Sequence, residues 1–427
     1  MIDLKLLRQD PDLFRRGAAK KRIACDVDRI LALDASVREI SQRMDDLRAR
    51  QKVAGKRIAE ATAAERGDLL EAQRTQKAEL KALEENQGPR EKELEGMLLR
   101  VPNPPADGVP EGADDSQNVE VRRVGTPPAF GFTPRDHVAL AEAQGWIDIE
   151  AAGRVSGSRN YFLIGELSLL EHAVLRFGFD HMVAKGFTPV SVPTLVRTAA
   201  MVGTGYFPGG EDQAYRCDER DDLCLVGTAE VPLTSLHGGS ILDYGRLPLR
   251  YVALSSCYRR EAGTYGKDTR GLYRVHQFLK VEQVVIDSAD AERSIEHHQA
   301  ILGHAEAVLT ALDLPYRVVN VCGGDLGQGQ IQKYDIETWM PSRGGFGETH
   351  SASRFHDFQA RRLGLRYRDA DGKVHFCHTL NNTVVASARM LIALLENHQL
   401  EDGRVRVPAA LQPYTGGAKV LGRPLTA

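Results

Sequence analysis

One stretch in the second half of the chain, residues 258–282, constrains the fold more than any other part of the sequence. Segments 255–260 and 275–282 contain apolar residues and flank a polar centre that includes Gly263 and Gly271. Apolar runs around a centre rich in glycine are typical of two strands joined by a turn or loop. The stretch therefore predicts an antiparallel hairpin with a long polar loop.

Residue alternation sorts the side chains of the predicted return strand onto two faces. One face carries His276, Phe278, Lys280 and Glu282. On the outgoing strand, Arg259 and Glu261 share a face. A guanidinium can bind phosphate or carboxylate through two hydrogen bonds, and an aromatic ring can stack on a base. The pattern predicts a binding site for the phosphates of a nucleotide; the alternative is a hairpin with ordinary surface ion pairs.

The same stretch resembles motif 2 of the class II aminoacyl-tRNA synthetases, most closely that of the bacterial type of the seryl-tRNA synthetase family. Few positions differ, notably Tyr258 in place of Phe and Lys267 in place of Arg. The likeness extends from residues 1–5 to Pro413 and Tyr414. It implies that the chain activates L-serine with ATP and transfers the seryl group to tRNA(Ser), and to tRNA(Sec) where that tRNA is present.

Composition agrees with a large soluble intracellular protein. The chain has 427 residues, of which 42% are hydrophobic, enough for one large core and a smaller domain. A formal net charge of -3 argues against binding of nucleic acid by bulk charge, so contacts with RNA require local basic patches. No apolar run reaches membrane-spanning length, and the first residues lack the layout of a signal peptide. We expect a cytoplasmic protein.

The cysteines are scattered along the chain and include no close pair of the zinc-ribbon type. We interpret them as reduced, mostly structural thiols: Cys25, Cys217, Cys224, Cys257, Cys322 and Cys377. Some members of the family that the chain resembles bind zinc through cysteines. Here Thr228 and Glu230 match the Thr-x-Glu of the zinc-free type, so no zinc is expected.

The first hundred residues contain a heptad pattern. Two interleaved tracks are formed by Val37, Met44, Gln51 and Ile58, and by Leu33, Ile40, Leu47 and Ala54. A second run has Leu80, Gln87 and Leu94 on one track and Leu83 and Met97 on the other. Charged residues fill much of the space between them, as in a coiled coil. With a turn at residues 64–68, the pattern predicts an antiparallel helical arm over about residues 27–100, each helix about 45 Å long.

The family resemblance assigns this arm to the long variable arm of tRNA, whereas dimerisation is the commoner role of a coiled coil. The predicted tRNA-binding residues are basic and cluster towards the tip of the first helix: Arg43, Arg48, Arg50, Lys52, Lys56 and Arg57. Phosphate contacts require such a cluster, and A-form RNA is read mainly by shape and backbone. Pro89 inside the second helix removes a hydrogen bond and predicts a kink.

Residues 101–112 are rich in proline and glycine and predict a connector between two domains. The predicted domains are 1–115, which binds tRNA, and 116–427, the catalytic domain. Beyond the boundary, strands mix irregularly with helices such as 168–185 and 289–312. This order favours an α+β fold with an antiparallel sheet flanked by helices over a doubly wound parallel sheet.

Two further segments match family motifs that concern assembly and serine binding. Residues 185–193 resemble motif 1, which pairs subunits in this class and supports a homodimer. Residues 226–230 resemble the serine loop, in which a carboxylate neutralises the substrate ammonium; a helix N-cap is the structural alternative. The predicted serine-binding residues are Thr228, Ala229, Glu230, Arg259, Glu282, Asn381 and Thr383.

Residues 347–397 are similar to motif 3, whose helical arginine reaches the terminal phosphate of ATP. Arg389 is expected to hold the γ-phosphate while Arg259 holds the α-phosphate, and Glu348 and Ser351 offer oxygen ligands for Mg²⁺. The residues expected to be catalytic are Arg259, Glu282 and Arg389. The predicted ATP-binding residues are Arg259, Arg260, Glu261, Val275, Phe278, Glu348, Thr349, His350, Ser351 and Arg389.

This third motif departs most from the common bacterial pattern. The departures are Thr349 and His350 for Ile-Ser, Arg354, Phe355 and His356 for Asn-Cys-Thr, and Asn382 and Thr383 for Gly-Ser. They leave open a specialised paralogue serving antibiotic biosynthesis or self-resistance, and a non-catalytic tRNA-binding paralogue. An amino-acid ligase for carrier proteins is disfavoured by the N-terminal arm. We interpret His276 and His350 as structural histidines, because this chemistry needs no protein nucleophile or base.

Overall fold

The N-terminal helical hairpin and the main β-sheet are formed by separate parts of the chain. The computed structural model describes residues 1–218, 220–263 and 271–425. The chain forms two compact units: Met1–Ala19 with Ile23–Pro104, and Lys20–Arg22 with Pro105–Ala427. The division at Pro104 lies N-terminal to the boundary predicted near Ser116.

Long helices dominate the first unit, and shorter ones flank the sheet of the second. The α-helices are α1 Leu4–Gln9, α2 Pro11–Lys21, α3 Val27–Glu60, α4 Ala63–Leu98, α5 His137–Gln144, α6 Ile149–Ser156, α7 Glu166–Ala184, α8 Thr198–Thr204, α9 Glu230–Ser235, α10 Ala291–Ala311, α11 Phe358–Leu363 and α12 Ser387–His398. No helix in the described ranges is both long and apolar enough to span a bilayer.

The turn of the helical arm lies earlier than the sequence suggested. Helix α3 ends at Glu60, and α4 begins at Ala63, so the prediction of a turn at residues 64–68 was wrong. The Glu65 carboxylate accepts hydrogen bonds from the backbone N–H and the hydroxyl of Thr62. These bonds satisfy groups at the helix start, and their stabilisation outweighs the poor helix propensity of Gly67.

The predicted heptad tracks are protected to different degrees. Leu33, Met44, Leu47 and Leu94 are buried, and the other residues of the tracks are half-buried. Ion pairs between the helices add to the register: Arg29 with Glu93, Arg43 with Glu79, and Arg48 with Glu84. Helix α4 continues through Pro89, so this proline does not end the helix. The predicted kink remains a prediction.

A large sheet organises the second unit. The strands are β1 Val119–Val124, β2 Ile147–Asp148, β3 Phe162–Leu163, β4 Thr188–Pro189, β5 Leu195–Arg197, β6 Tyr215–Asp218, β7 Leu223–Leu225, β8 Ile241–Asp243, β9 Leu249–Tyr258, β10 Gln277–Asp287, β11 Tyr316–Asn320, β12 Gln332–Met340, β13 Gly345–His356, β14 Arg366–Arg368, β15 Val374–Phe376, β16 His378–Ala386, β17 Val405–Arg406 and β18 Val420–Leu421.

The main sheet has the order β1-β11-β12-β13-β16-β10-β9-β4 among the described residues. Every neighbouring pair is antiparallel except β4 with β9, which confirms the predicted α+β fold with an antiparallel sheet. Strands β9 and β10 form the predicted hairpin, although its return strand begins at Gln277 rather than at Val275.

Helices cover the sheet and position its central strands. All nine residues of β16 are buried, because α7, α10 and α12 pack against the sheet around it. In α12, Arg389 is the one residue of the twelve that is not buried. A half-buried arginine on an otherwise buried helix, at the end of a central strand, is well placed to meet a ligand.

Helix α7 approaches β16 closely at Gly178. A Cβ atom at this glycine would lie 2.6 Å from Cγ2 of Val385. We therefore expect Gly178→Ala to destabilise the second unit by about 1–3 kcal/mol through overpacking. Thermal or chemical unfolding of the variant measures this loss.

Gly303 on α10 offers a matched control, because a Cβ there would meet no atom within 4 Å. Gly303→Ala should leave stability unchanged or raise it by up to about 1 kcal/mol, as alanine favours helix. Equal effects of the two substitutions would contradict the packing argument.

Candidate active site

A cavity lies over the part of the sheet formed by β9, β10, β13 and β16, at the start of α12. It is lined by Arg259, Glu261, Tyr273, Val275, Phe278, Lys280, Glu348, Thr349, Thr383, Ala386, Ala388 and Arg389. An adjoining cavity shares Arg259 and Arg389 and extends to Tyr206. The two arginines from motifs 2 and 3, distant in sequence, thus line the same space.

Arg389 is held at three points. Its Nη1 donates to the backbone carbonyl of Glu348 at 2.8 Å and lies 3.3 Å from the Glu348 carboxylate. Its Nε donates to the carbonyl of Tyr273 at 3.2 Å. Burial opposes ionisation of Glu348, but the positive charges of Arg389, Lys333 and Arg259 outweigh it and lower the pKa of this carboxyl. Glu348 and Arg389 therefore meet a ligand as a charged pair.

Arg259 lies at the other side of the cavity, beside the aromatic ring of motif 2. Its guanidinium carbon is 5.4 Å from the centre of the Phe278 ring, and its Nε donates to the Gly227 carbonyl at 3.4 Å. The backbone carbonyl of Arg259 is 2.9 Å from Nδ1 of His276, which fits a structural role for that histidine. Phe278 lines the cavity and can offer its ring to a base.

Glu230 is a buried carboxylate beyond this cavity. Tyr206, which lines the adjoining cavity, donates its hydroxyl to Glu230 at 2.9 Å, and Gln359 donates its amide at 2.8 Å. Thr228 accepts a hydrogen bond from the backbone N–H of Glu230 at 3.2 Å. Burial and, secondly, the charge of Glu282 raise the pKa of Glu230 to about 7. A bound cation would stabilise the ionised form.

Glu282 forms the centre of a second buried polar group. It pairs with Lys280, and the hydroxyl of Thr383 donates to it at 3.4 Å. Thr383 stands directly opposite Glu282 in the β10–β16 register, which contains a bulge at this point. The side-chain nitrogen of Asn381 is buried without a hydrogen-bond partner among the described residues. These groups can bind a small polar ligand that satisfies them.

Comparison with known proteins agrees with this geometry. Residues 1–105 match the family model "Seryl-tRNA synthetase N-terminal domain", and residues 215–398 match "tRNA synthetase class II core domain (G, H, P, S and T)". The serine–tRNA ligase of Deinococcus radiodurans is 48% identical over 100% of both chains. The chain belongs to the seryl-tRNA synthetases. It is a serine–tRNA ligase of the aminoacyl-tRNA synthetase class.

Solved structures of other members are similar over their full length. The seryl-tRNA synthetase of Pyrococcus horikoshii complexed with ATP gives a TM-score of 0.92 at 39% identity and covers 100% of both chains. The cytoplasmic serine–tRNA ligase of Naegleria fowleri in complex with AMP gives a TM-score of 0.87 at 30% identity over 99% of both chains. Both matches extend through the helical arm and the sheet.

Some predicted site residues do not line the nucleotide cavity of this synthetase. His350 is buried, with Nδ1 2.8 Å from the Thr349 hydroxyl and Nε2 3.0 Å from the Val384 carbonyl, so its ring is occupied. Burial lowers the pKa of His350 to about 4, so the ring is neutral. Arg260 is exposed outside the cavity lining, and Ser351 pairs with Asp335 across the sheet. Ala229 is the buried N-cap of α9.

Sequence reasoning missed several site residues, among them Lys280, Gln359 and Tyr206. Lys280 lies on the face predicted for Phe278 and Glu282, so alternation placed it correctly, but no role was assigned to it. Gln359 lies within motif 3 and reaches Glu230 from α11. Tyr206 follows α8 and has no sequence pattern that could indicate its contact with Glu230.

The pKa of Glu230 generates a prediction about the pH dependence of serine binding. Only the carboxylate neutralises an ammonium group, and the raised pKa means that Glu230 is protonated below about pH 7. We expect kcat/KM for serine, measured by ATP–pyrophosphate exchange, to fall as the pH decreases through about 7.

Two variants should move this inflection in opposite directions. Glu282→Gln removes a neighbouring negative charge and should shift it to lower pH, whereas Tyr206→Phe removes a hydrogen-bond donor to the carboxylate and should shift it higher. An inflection that neither variant moves would assign the titration to another group.

Proposed function

We propose that this chain activates L-serine with ATP to give seryl-adenylate and pyrophosphate, and then transfers the seryl group to the terminal ribose hydroxyl of tRNA(Ser), and of tRNA(Sec) where it is present. One observation carries the proposal. Arg259 and Arg389 line one cavity together with an aromatic ring, Phe278, and a buried polar group that contains Glu282 lies beside it.

The arrangement suits in-line attack on the α-phosphorus of ATP. An oxygen of the serine carboxylate attacks, and pyrophosphate leaves with the electron pair of the broken P–O bond. Arg259 neutralises charge at the carboxylate and the α-phosphate, while Arg389 binds the γ-phosphate end. Preorganised cations act on charge that develops in the transition state, so no protein nucleophile is required. The retained charged groups argue against a non-catalytic paralogue.

Serine recognition requires two complementary polar sites. Glu230 binds the ammonium group, and Glu282 with Thr383 binds the hydroxyl. Alanine lacks the hydroxyl, so it would form one hydrogen bond fewer with the buried Glu282 and Thr383. The threonine at 383 adds a methyl group relative to the usual serine and narrows the space beside the substrate.

Oxygen-bearing residues of β12 and β13 are suited to bind Mg²⁺ together with the phosphates of ATP. Among the described residues, no group of three acidic, histidine or cysteine side chains could hold a metal ion by itself. Oδ1 of Asp335, opposite Ser351 in the sheet, is buried without a hydrogen-bond partner. Glu348 and Ser351 would hold the ion together with phosphate oxygens of ATP. A bound Mg²⁺ would neutralise phosphate charge and orient the leaving pyrophosphate.

The helical arm is the candidate site for the long variable arm of tRNA. Arg43 and Arg48 form ion pairs with Glu79 and Glu84 of the facing helix, so their charges are partly neutralised. The remaining predicted contacts have no ion-pair partner in the described part of the chain: Arg50, Lys52, Lys56 and Arg57. These four cations near the tip are the better candidates for phosphate contacts.

A homodimer in the cytoplasm is part of the proposal. Large apolar side chains around the motif 1 segment are exposed in the single chain, with Leu169 61% exposed, Phe162 44% and Val183 41%. We place the subunit interface at these exposed apolar side chains, because exposed apolar surface is typical of such interfaces. Burial of these side chains against a second copy of the chain would remove their apolar surface from water and stabilise the pair.

ATP–pyrophosphate exchange with serine, threonine, alanine and cysteine tests the proposed function. We expect exchange with serine, and at least about 10³-fold lower kcat/KM with alanine, because a buried polar site would lose the hydroxyl that it binds. Arg389→Gln should lower kcat/KM for ATP by about 10²-fold or more, as one preorganised charge is removed. Arg368→Gln, an exposed arginine that donates to a nearby carbonyl, is the matched control.

Exchange without subsequent charging of a tRNA that has a long variable arm would contradict the second half of the proposal. Exchange that is independent of serine would contradict the first half.

Charge removal at the arm tip tests tRNA recognition. Replacing Lys52, Lys56 and Arg57 together by Gln should weaken binding of tRNA and make log Kd less dependent on log salt, by about 0.7–0.9 for each phosphate that the variant no longer neutralises. Binding titrations at several salt concentrations measure both quantities, and exchange checks that the catalytic unit is intact. The control is Arg29→Gln with Glu93→Gln, which removes an ion pair of the same arm without changing net charge. An unchanged salt slope for the triple variant would exclude these cations.

A further inference from the structure

Tyr273 lies in the short segment 271–276 that precedes β10, and it lines two cavities. Its ring lines the nucleotide cavity, and it also lines a second cavity with His137, Ser342 and Arg343. The position was not among those predicted for the site. Its cavity neighbours, however, include Arg389 and Glu348, which act on ATP and its Mg²⁺ in the proposed function.

Two guanidinium groups lie over the Tyr273 ring. The guanidinium carbon of Arg343 is 4.2 Å from the ring centre, and that of Arg389 is 4.5 Å away. An aromatic face attracts cations at such distances. The backbone carbonyl of Tyr273 also accepts a hydrogen bond from Nε of Arg389 at 3.2 Å. One residue therefore contacts Arg389 through both its side chain and its main chain.

The space for this ring depends on Gly347. A Cβ atom there would lie 3.0 Å from Cε2 of Tyr273, 3.2 Å from its hydroxyl oxygen and 3.0 Å from the sulfur of Met340. Gly347 immediately precedes Glu348, whose carbonyl and carboxylate hold the same arginine. A side chain at 347 would have to displace the ring or move the strand segment that binds Arg389.

We propose that Tyr273 is a positioning residue for Arg389, and that Gly347 provides the space for its ring. The inference rests on the proposed function, because it assigns Arg389 to ATP. A long arginine side chain has many rotamers, and restricting them before ATP arrives reduces the entropic cost of binding the phosphate. The ring limits Arg389 on one side, and the Glu348 and Tyr273 carbonyls fix its guanidinium orientation. Arg343 packs on the same ring and restricts its rotation.

Variants at the two positions test the proposal through the Michaelis constants of both substrates in ATP–pyrophosphate exchange. Tyr273→Leu should raise KM for ATP about tenfold and leave KM for serine nearly constant, because the ring packs on Arg389, which the proposed function assigns to ATP. Tyr273→Phe keeps the ring and should restore KM for ATP to within about threefold of the unaltered enzyme. Gly347→Ala should raise KM for ATP, since the added Cβ displaces the ring.

A double-mutant cycle separates positioning from general damage. In the Tyr273→Leu background the ring is absent, so Gly347→Ala should add little to the change in KM for ATP. Additive effects of the two substitutions would overturn the proposed dependence of the ring on Gly347. If Tyr273→Leu and Tyr273→Phe raise KM for ATP equally, or if KM for serine rises in parallel, the positioning role is excluded.

The melting temperature and the ATP affinity by calorimetry are measured for each variant. If a low melting temperature shows that Tyr273→Leu or Gly347→Ala folds poorly, the test of the positioning role depends on KM for ATP of Tyr273→Phe. Exchange by the unaltered chain tests the proposed function by itself. Serine-dependent exchange combined with an ATP KM that is insensitive to Tyr273→Leu would overturn only the role of Tyr273.

Discussion

The pairing of β10 with β9 on one side and with β16 on the other is the constraint on which the site depends. It fixes Glu282 opposite Thr383 and brings Phe278 beside Arg259, while helices bury the far side of the same strands. The charged and aromatic side chains of the site thus project from fixed positions on a rigid part of the main sheet. The bulge between Val281 and Glu282 adjusts this register locally, as bulges near functional sites commonly do.

Burial of the Glu230 and Glu282 carboxylates costs free energy, and binding of a complementary substrate can offset that cost. Burial and Glu282 raise the pKa of Glu230 to about 7, so the protonated and ionised forms are of similar population at neutral pH. In the proposed function, a substrate ammonium would relieve that cost, and a substrate hydroxyl would add a hydrogen bond to Glu282. Tyr206 and Gln359, which donate to Glu230, keep the carboxylate oriented before the substrate arrives. Selectivity then follows from groups that a wrong substrate leaves unpaired.

Basic side chains are held by different interactions in the helical arm and in the catalytic unit. Along the arm, apolar seam residues such as Leu47 hold two helices together, and cross-helix ion pairs such as Arg48 with Glu84 use some of the basic residues for register. The cations that have no such partner near the tip, among the residues that the structure describes, remain for a polyanion. In the catalytic unit, by contrast, arginines such as Arg389 are held by backbone carbonyls and a carboxylate, which fixes their direction as well as their charge.

The sequence by itself determined the elements whose pattern is local or periodic. Heptads predicted the helical arm, and alternation placed Phe278, Lys280 and Glu282 on one face of a strand. The turn of the arm was predicted wrongly, because Gly67 was weighed more heavily than the hydrogen bonds between Thr62 and Glu65 that begin α4. Only the tertiary structure decided that Tyr206 and Gln359 meet at Glu230, and that His350 faces away from the nucleotide cavity. Contacts between residues far apart in sequence depend on how helices pack on the sheet, and no local pattern encodes that packing.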